Sequence, residues 1–157
     1  MIEIRPATRA DTQTTFDIRR AAIHAQCMGV YSREDLLAWT QGGPEPWYAD
    51  LVERHFHVAC LHGEVVATIM LGPQVGELGA LFVAPHAMGQ GIGRRLVEHL
   101  EDLARAAGWS HLSLEATLNA AAFYRRCGFI GDSEAVYHSP SGVSLRCVPM
   151  HKVLQPA

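Results

Sequence analysis

The chain has 157 residues, a formal net charge of −3 and an apolar content of 48%. This length favours a single domain, residues 1–157, with one core. The mild negative charge gives no basis for nucleic-acid binding, and the longest apolar runs, such as residues 65–71, are far too short to cross a membrane. Four cysteines without a CxxC motif favour free thiols. The N-terminal residues also lack the charged start and apolar block of a signal peptide, so we expect a cytoplasmic protein.

The first half of the chain alternates short strands and helices, as apolar periodicity and turn residues indicate. The predicted elements are a strand at 2–5, a helix that Thr8 or Asp11 caps and Gly29 ends, a second helix from Ser32 to Trp39, a loop at 41–46, and strands at 55–61, 64–71 and 76–83. The strands at 55–61 and 64–71 are predicted to form a hairpin that turns at His62 and Gly63.

The second half places a long amphipathic helix between two strands. The predicted elements are a helix at 91–107, a strand at 111–114, a short helix at 119–126 and a last hairpin formed by 129–137 and 143–153. A whole helix between two strands permits a parallel pairing. We therefore predict an α/β (α+β) fold, with a mostly antiparallel mixed sheet, one βαβ crossover and about four flanking helices.

The strand at 76–83 leads into a glycine-rich turn that opens the long helix. Exposed backbone amides, the positive end of the helix dipole and the small size of glycine make such a turn suitable for binding phosphate. A dinucleotide fold is one rival interpretation, but it requires a third glycine where Arg94 stands. A Walker A loop requires Gly-Lys-Ser/Thr, which the chain lacks. A tight turn without a ligand is the remaining alternative.

Two runs of sequence resemble the GNAT superfamily of acetyl-coenzyme A-dependent N-acetyltransferases. Residues 88–93 fill its phosphate signature, Gln/Arg-x-x-Gly-x-Gly/Ala, except that Met88 stands where the family usually has Gln or Arg. The run NAAAFYRRCGF, residues 119–129, is similar to the second signature of the family. The resemblance implies the GNAT fold and acetyl-coenzyme A as cofactor. It also implies that two central strands separate where the crossover begins, a feature that the periodicity does not predict.

The resemblance assigns cofactor contacts to three segments. The turn amides and Arg94 are expected to bind the pyrophosphate, the strand backbone at 81–83 to pair with pantetheine, and Asn119 to contact the cofactor arm or to cap its helix. The implied cofactor-binding residues are Leu81, Phe82, Val83, Met88, Gly89, Gln90, Gly91, Ile92, Gly93, Arg94, Asn119 and Tyr124.

Three residues are candidates for proton transfer. Tyr124 matches the general acid that the family places beside the thioester sulfur, and a core tyrosine is the alternative interpretation. Glu77 has the spacing to the glycine turn of the catalytic glutamate in the histone-acetylating branch. Glu115, at the end of the next predicted strand, is the second candidate for the base, or a group that binds a cation on the substrate. An ordered water could replace both as the base.

We therefore expect an N-acetyltransferase that transfers an acetyl group to a primary amine by direct attack in a ternary complex. The amine acceptor is a small molecule or a peptide, and a homodimer is compatible with the resemblance. The alternative function is a non-catalytic sensor that binds acyl-coenzyme A, which would need the glycine turn but no general acid. No metal is expected. His55 and His57 on one strand face, and His24 and Cys27 on one helix face, are more typical of packing or surface positions than of metal ligands. The aromatic residues Tyr31, Trp39, Trp47 and Tyr48 are predicted either to line the acceptor site or to pack under the loop at 41–46.

Overall fold

The computed structural model describes residues 1–156, which contain five α-helices and seven β-strands. The helices are α1 (Thr12–Gln26), α2 (Arg33–Thr40), α3 (Pro46–His55), α4 (Ile92–Ala106) and α5 (Ala121–Arg126). The strands are β1 (Ile2–Pro6), β2 (Phe56–Leu61), β3 (Glu64–Leu71), β4 (Leu78–Val83), β5 (His111–Thr117), β6 (Ala135–His138) and β7 (Ser144–Val153). No helix of the described part is long and apolar enough to span a bilayer.

The strands form two antiparallel sheets. The first has the order β1-β2-β3-β4, and the second has the order β5-β7-β6. The predicted hairpin between β2 and β3 is confirmed, and it turns at two residues with positive φ, His62 and Gly63. The predicted α+β fold class is likewise confirmed.

The two sheets meet at a single point. Glu77 and Ser113 form an isolated parallel bridge, in which the Ser113 N–H donates to the Gly76 carbonyl at 2.7 Å. Beyond this bridge β4 and β5 run on without pairing, so the edge of β4 that faces β5 is left without a neighbouring strand. The predicted βαβ crossover through α4 is therefore present, and its two strands separate towards their carboxyl ends.

A bulge in β4 lies beside this separation. The register between β3 and β4 shifts between Thr68 and Met70, and Ala80 adopts a left-handed φ of 51°. This conformation is uncommon for a residue other than glycine. The Thr68 hydroxyl stabilises it by donating to the Ala80 carbonyl at 2.7 Å. A bulge re-aims the residues that follow it, here the segment 81–83.

Helix α4 packs one apolar face against the sheets. Ile92, Leu96, Leu100 and Ala104 are buried on this face. Glu101 is also buried, and its carboxylate accepts a hydrogen bond from the Lys152 ammonium at 2.8 Å. A buried charge of this kind is tolerated because it is paired.

Helix α3 was not predicted from the sequence, and it accounts for the fifth helix. It starts with Pro46 at its first position, where the missing N–H of proline costs nothing. Its buried residues are Tyr48 and Val52, four positions apart. Strand β2 then begins at Phe56, one residue later than predicted.

Candidate active site

The glycine turn before α4 has the geometry of an anion site. Gly89 and Gly91 have φ of 79° and 76°, a region that side chains disfavour. None of the backbone N–H groups of residues 89–94 donates a hydrogen bond to another group within residues 1–156. Amides at a helix start without acceptors, together with the helix dipole, attract a bound phosphate.

The space around the turn fits such a ligand. A Cβ placed on Gly89 or Gly91 would meet no atom within 4 Å, so the approach to the amides is open. Arg94 is exposed and has only a loose contact with Glu98, at 3.8 Å, so its guanidinium can turn towards an anion. Met88 cannot donate a hydrogen bond, and its sulfur instead accepts one from the Gln26 side chain at 3.4 Å.

The turn lies next to the helix that carries Tyr124. A Cβ on Gly93 would lie 3.3 Å from the ring of Phe123, so α4 and α5 are in close contact at this point. Phe123 in turn packs edge-on against Tyr124, with ring centroids 5.2 Å apart. The two sequence signatures are thus neighbours in space.

A cavity of about 1020 Å³ occupies the gap between β4 and β5. This volume is sufficient for a small organic ligand. Residues from α1, α3, β4, β5 and α5 line the cavity. The predicted site residues on its wall are Glu77, Leu81, Phe82, Glu115, Asn119 and Tyr124. Val83 and residues 88–94 are not on this wall. The turn adjoins the cavity through Gln26, a wall residue whose side chain donates to the Met88 sulfur.

Tyr124 is a buried wall residue with a free hydroxyl. Only 8% of its surface is exposed, and its ring packs edge-on against Phe123 and Phe129. Burial is the main cause that raises the pKa of Tyr124, and nearby Cys127 adds to the rise. The phenol therefore stays protonated at neutral pH. Since no group of residues 1–156 hydrogen-bonds its hydroxyl, that proton is available to a ligand.

The two predicted carboxylates share the same wall. Glu77 is half-buried at the point where the sheets meet, and burial raises its pKa, with a further contribution from the negative charge of Glu115. Glu115 is exposed to the cavity and accepts a contact from the Cys147 thiol at 3.9 Å. A carboxyl with a raised pKa is a better proton acceptor near neutral pH than an ordinary glutamate.

Asn119 does not cap α5. The N-cap residue of this helix is Ala120, which has no side chain able to accept a hydrogen bond, so the capping alternative for Asn119 is wrong. Its side-chain oxygen instead accepts a hydrogen bond from the Cys27 thiol at 3.5 Å. This contact holds the amide at the cavity wall, between α1 and β5.

The aromatic residues divide between two locations. Trp39, Trp47 and Tyr48 line the cavity, and Trp39 and Tyr48 are also buried in hydrophobic clusters, so their place in the acceptor site stays a prediction. Tyr31 does not line the cavity. Its hydroxyl accepts a hydrogen bond from the Leu118 N–H and donates one to the Arg146 carbonyl.

The sequence analysis missed one charged residue of the cavity. Arg19, on α1, is half-buried on the wall. No local motif in α1 marks Arg19 as functional. Within residues 1–156, no three His, Cys, Asp or Glu side chains come together in a group that could hold a metal ion.

Comparison with known proteins identifies the family. The model of the acetyltransferase (GNAT) family matches residues 22–129. The chain belongs to the GNAT acetyltransferase family. Aminoalkylphosphonate N-acetyltransferase of Salmonella typhimurium is 30% identical to this GNAT protein over 81% of the chain and 84% of its own length.

Other relatives match the GNAT protein over shorter segments. IAA acetyltransferase of Azospirillum brasilense is 45% identical over 45% of the chain, and this match spans only 48% of its own length. Among solved structures, a GCN5-related N-acetyltransferase from Rhodopseudomonas palustris superposes with a TM-score of 0.89 at 27% identity, over 97% of this chain and 95% of that one. The PaiA N-acetyltransferase of Thermoplasma acidophilum, solved with coenzyme A, shares the fold at a TM-score of 0.73 and 20% identity, over 98% of this chain and 99% of that one.

Proposed function

We propose that this chain is a single-domain, acetyl-coenzyme A-dependent N-acetyltransferase that acetylates a primary amine by direct attack in a ternary complex. The observation that carries the proposal is the convergence of three features at the gap between β4 and β5. These features are the unpaired amides of residues 89–94, the free hydroxyl of Tyr124 and the half-buried carboxyl of Glu77.

The cofactor would be held by backbone groups at two places. The amides of residues 89–94, with Arg94 beside them, would bind the pyrophosphate. The unpaired edge of β4 at residues 81–83 offers its backbone to the pantetheine arm, in the manner of an added strand. When bound, acetyl-coenzyme A supplies an acetyl group activated as a thioester. Since most of these contacts are made by backbone groups, Met88 in place of Gln or Arg removes one side-chain contact and leaves the backbone contacts in place.

Glu77 is proposed as the general base. A lysine-type amine has a pKa of about 10.4, so only about one in 2,500 is neutral at pH 7, which costs roughly 4.6 kcal/mol. For an α-amino group the cost is only about 1 kcal/mol. The raised pKa of Glu77 suits it to accept this proton. Exposed Glu115 would attract the ammonium form of the acceptor into the same cavity.

Tyr124 is proposed as the acid that assists the leaving sulfur. Its raised pKa makes complete proton transfer to a thiolate unfavourable, because a thiol has a pKa of only about 8.5. The useful action of the hydroxyl is a hydrogen bond that strengthens as sulfur gains negative charge. A hydroxyl that has no partner within the protein can make this bond without breaking another.

We favour direct attack over an acyl-enzyme intermediate, because Cys27, the cysteine on the cavity wall, is held as a protonated thiol. Burial raises the pKa of the Cys27 thiol, so little of it is the nucleophilic thiolate at neutral pH. Its proton is also directed at the Asn119 oxygen. The relatives described above, an aminoalkylphosphonate N-acetyltransferase and an IAA acetyltransferase, are named for different compounds and so support the reaction more than any one substrate.

The proposal is tested by incubating the protein with acetyl-coenzyme A and a panel of primary amines. We expect release of free thiol that depends on the amine, and a product heavier than the amine by one acetyl group in mass spectrometry. Binding of coenzyme A without turnover of any amine would favour the alternative, a non-catalytic acyl-coenzyme A sensor. No binding of coenzyme A would contradict both. Gel filtration of the same sample tests the homodimer, which stays a prediction.

A further inference from the structure

The wall of the cavity contains a half-buried cation, Arg19, that no carboxylate of residues 1–156 pairs with. The guanidinium of Arg19 lies 5.6 Å from the ring centroid of Trp39 and 5.8 Å from that of Phe16. Both distances are within the range of cation–π contacts. Burial lowers the pKa of Arg19, and an arginine still remains charged at neutral pH. No Asp or Glu of residues 1–156 forms an ion pair with it.

Most of the donors of Arg19 remain free. Its guanidinium has five N–H groups, and its only hydrogen bond within the described chain goes from Nη2 to the Trp39 carbonyl, at 3.1 Å. The neighbouring Arg20 is a contrast. It also packs on Phe16, but its donors bond the carbonyls of Thr40 and Gly42, and it is absent from the cavity wall.

The charged side chains of the cavity wall come from separate elements of the fold. Arg19 is the one cationic side chain on the wall among residues 1–156, and the carboxylates are Glu45, Glu77 and Glu115. Glu77 and Glu115 lie on the β4–β5 side, whereas Arg19 extends from α1. A ligand that satisfies both sides has an amine at one end and an anion at the other.

We propose that Arg19 determines acceptor specificity by binding an anionic group, so that the acceptor is a primary amine that also carries a carboxylate, phosphate or phosphonate. This inference rests on the proposed function. The planar guanidinium matches these anions with two parallel hydrogen bonds. Desolvation of Arg19 by the two aromatic rings strengthens its attraction for such a group.

The test compares amines that differ only in the anion. β-Alanine, 2-aminoethylphosphonate and propylamine form one set, and sets of longer chains with the same three end groups extend it. For each amine, kcat/KM is measured with the wild type, Arg19→Met, Arg19→Lys and Arg20→Met. The wild type should prefer a member that carries an anion over propylamine, which carries none, and the ratio between the carboxylate and phosphonate arms shows which anion Arg19 prefers.

In Arg19→Met this preference should fall by about 10- to 100-fold, the loss expected for charge-assisted hydrogen bonds, mainly through KM. Arg19→Lys should retain part of it, and Arg20→Met should keep the wild-type preference despite losing stability. The thermal shift with coenzyme A should be the same in Arg19→Met as in the wild type. If Arg19→Met instead loses the thermal shift with coenzyme A, Arg19 binds the cofactor rather than the acceptor, and the inference is overturned.

Calorimetry of the same amines with the wild type and Arg19→Met separates this inference from the proposed function. Binding of the anionic amines that depends on Arg19, without any turnover, would reject the proposed reaction, and with it the acceptor role of Arg19, and would leave Arg19 only as an anion site. Turnover without any preference for anionic amines, or a preference that persists in Arg19→Met, would overturn the inference and retain the acetyltransferase.

Discussion

The glycine turn and the cavity lie side by side, but they are built in different ways. The turn is one continuous segment, residues 88–94, and the groups proposed to bind the cofactor are its backbone amides. The cavity wall draws its side chains from Phe16 to Met150, across both sheets and four of the helices. The turn therefore depends on glycine conformation, whereas the cavity depends on which distant residues the fold brings together.

Substitutions in the turn and in the cavity should therefore have different effects. Because the turn is proposed to bind through its backbone, only a change of backbone shape or added bulk should damage it, and the damage should appear as lost cofactor affinity. Cavity residues act through side-chain atoms. Changes there should alter turnover or choice of acceptor and leave cofactor affinity in place.

The largest expected effect is in the cavity, at Tyr124. Tyr124→Phe removes only the hydroxyl, and general acid assistance is typically worth 10²–10⁴-fold, so kcat should fall by about that factor. Because the hydroxyl has no hydrogen-bond partner among residues 1–156, the melting temperature should hardly change. Steady-state kinetics and thermal denaturation measure the two quantities.

Tyr31→Phe is the matched control for this variant. It removes a hydroxyl with two hydrogen bonds away from the cavity, so it should cost stability, about 1–3 kcal/mol, with kcat unaltered. An unaltered kcat in Tyr124→Phe would make Tyr124 a packing residue.

The next effect belongs to the turn. Gly91→Glu adds a side chain and a negative charge where the pyrophosphate is expected, and affinity for coenzyme A should fall about 100-fold or more, roughly 2.7 kcal/mol. With coenzyme A at 100 times its wild-type Kd, the wild type gains about 2.7 kcal/mol of stability by mass action, and the variant should lose nearly all of this gain.

Gly108→Glu at the opposite end of α4 is the control. Gly108 has a similar φ of 82° and open space for a side chain, so the backbone cost is matched. The 15-residue helix α4, about 22 Å long, lies between the two positions, so the Gly108 variant should keep the full stabilisation by coenzyme A. Equal stabilisation in both variants would contradict the phosphate assignment.

The smallest effect is expected at Glu77. The base must be ionised, and the raised pKa of Glu77 moves the rise of wild-type kcat/KM to higher pH than an ordinary glutamate would give. Glu77→Gln should lose about 10-fold at pH 7 for an acceptor with an α-amino group. It should approach the wild type as pH rises, because the amine then loses its proton unaided.

Glu115→Gln distinguishes the two carboxylates. If Glu115 attracts the acceptor ammonium, its variant should raise KM with little change in kcat. Removing Glu115 should also lower the pKa of Glu77, because the Glu115 charge contributes to its rise. Wild-type profiles in both variants would leave an ordered water as the base.

The turn and α4 could be predicted from the sequence because their signals are local. Glycines at 89 and 91, followed by apolar residues at helical spacing, specify the turn, the helix and its buried face. The β2–β3 hairpin was predicted for the same reason, from strand periodicity around His62 and Gly63. Tyr124 came from a run of residues that is continuous in the chain.

The rest depends on contacts between distant segments. Helix α3 is short and follows a loop rich in glycine and proline, and its buried pair Tyr48 and Val52 is a weak periodic signal. The separation of β4 and β5 depends on one bridge between segments 36 residues apart, Glu77 and Ser113. Arg19 lines the cavity only because α1 packs beside that gap, which no pattern in α1 itself indicates.

Hydrogen exchange at the glycine turn tests the central claim, that residues 89–94 hold the cofactor, most directly. In the free protein these amides have no acceptor within the described chain, so they should exchange rapidly. With saturating coenzyme A, several of them should slow by about tenfold or more, while the amides around Gly108 should keep their rates. Unchanged exchange at 89–94 in protein that calorimetry shows to be loaded with coenzyme A would contradict the account.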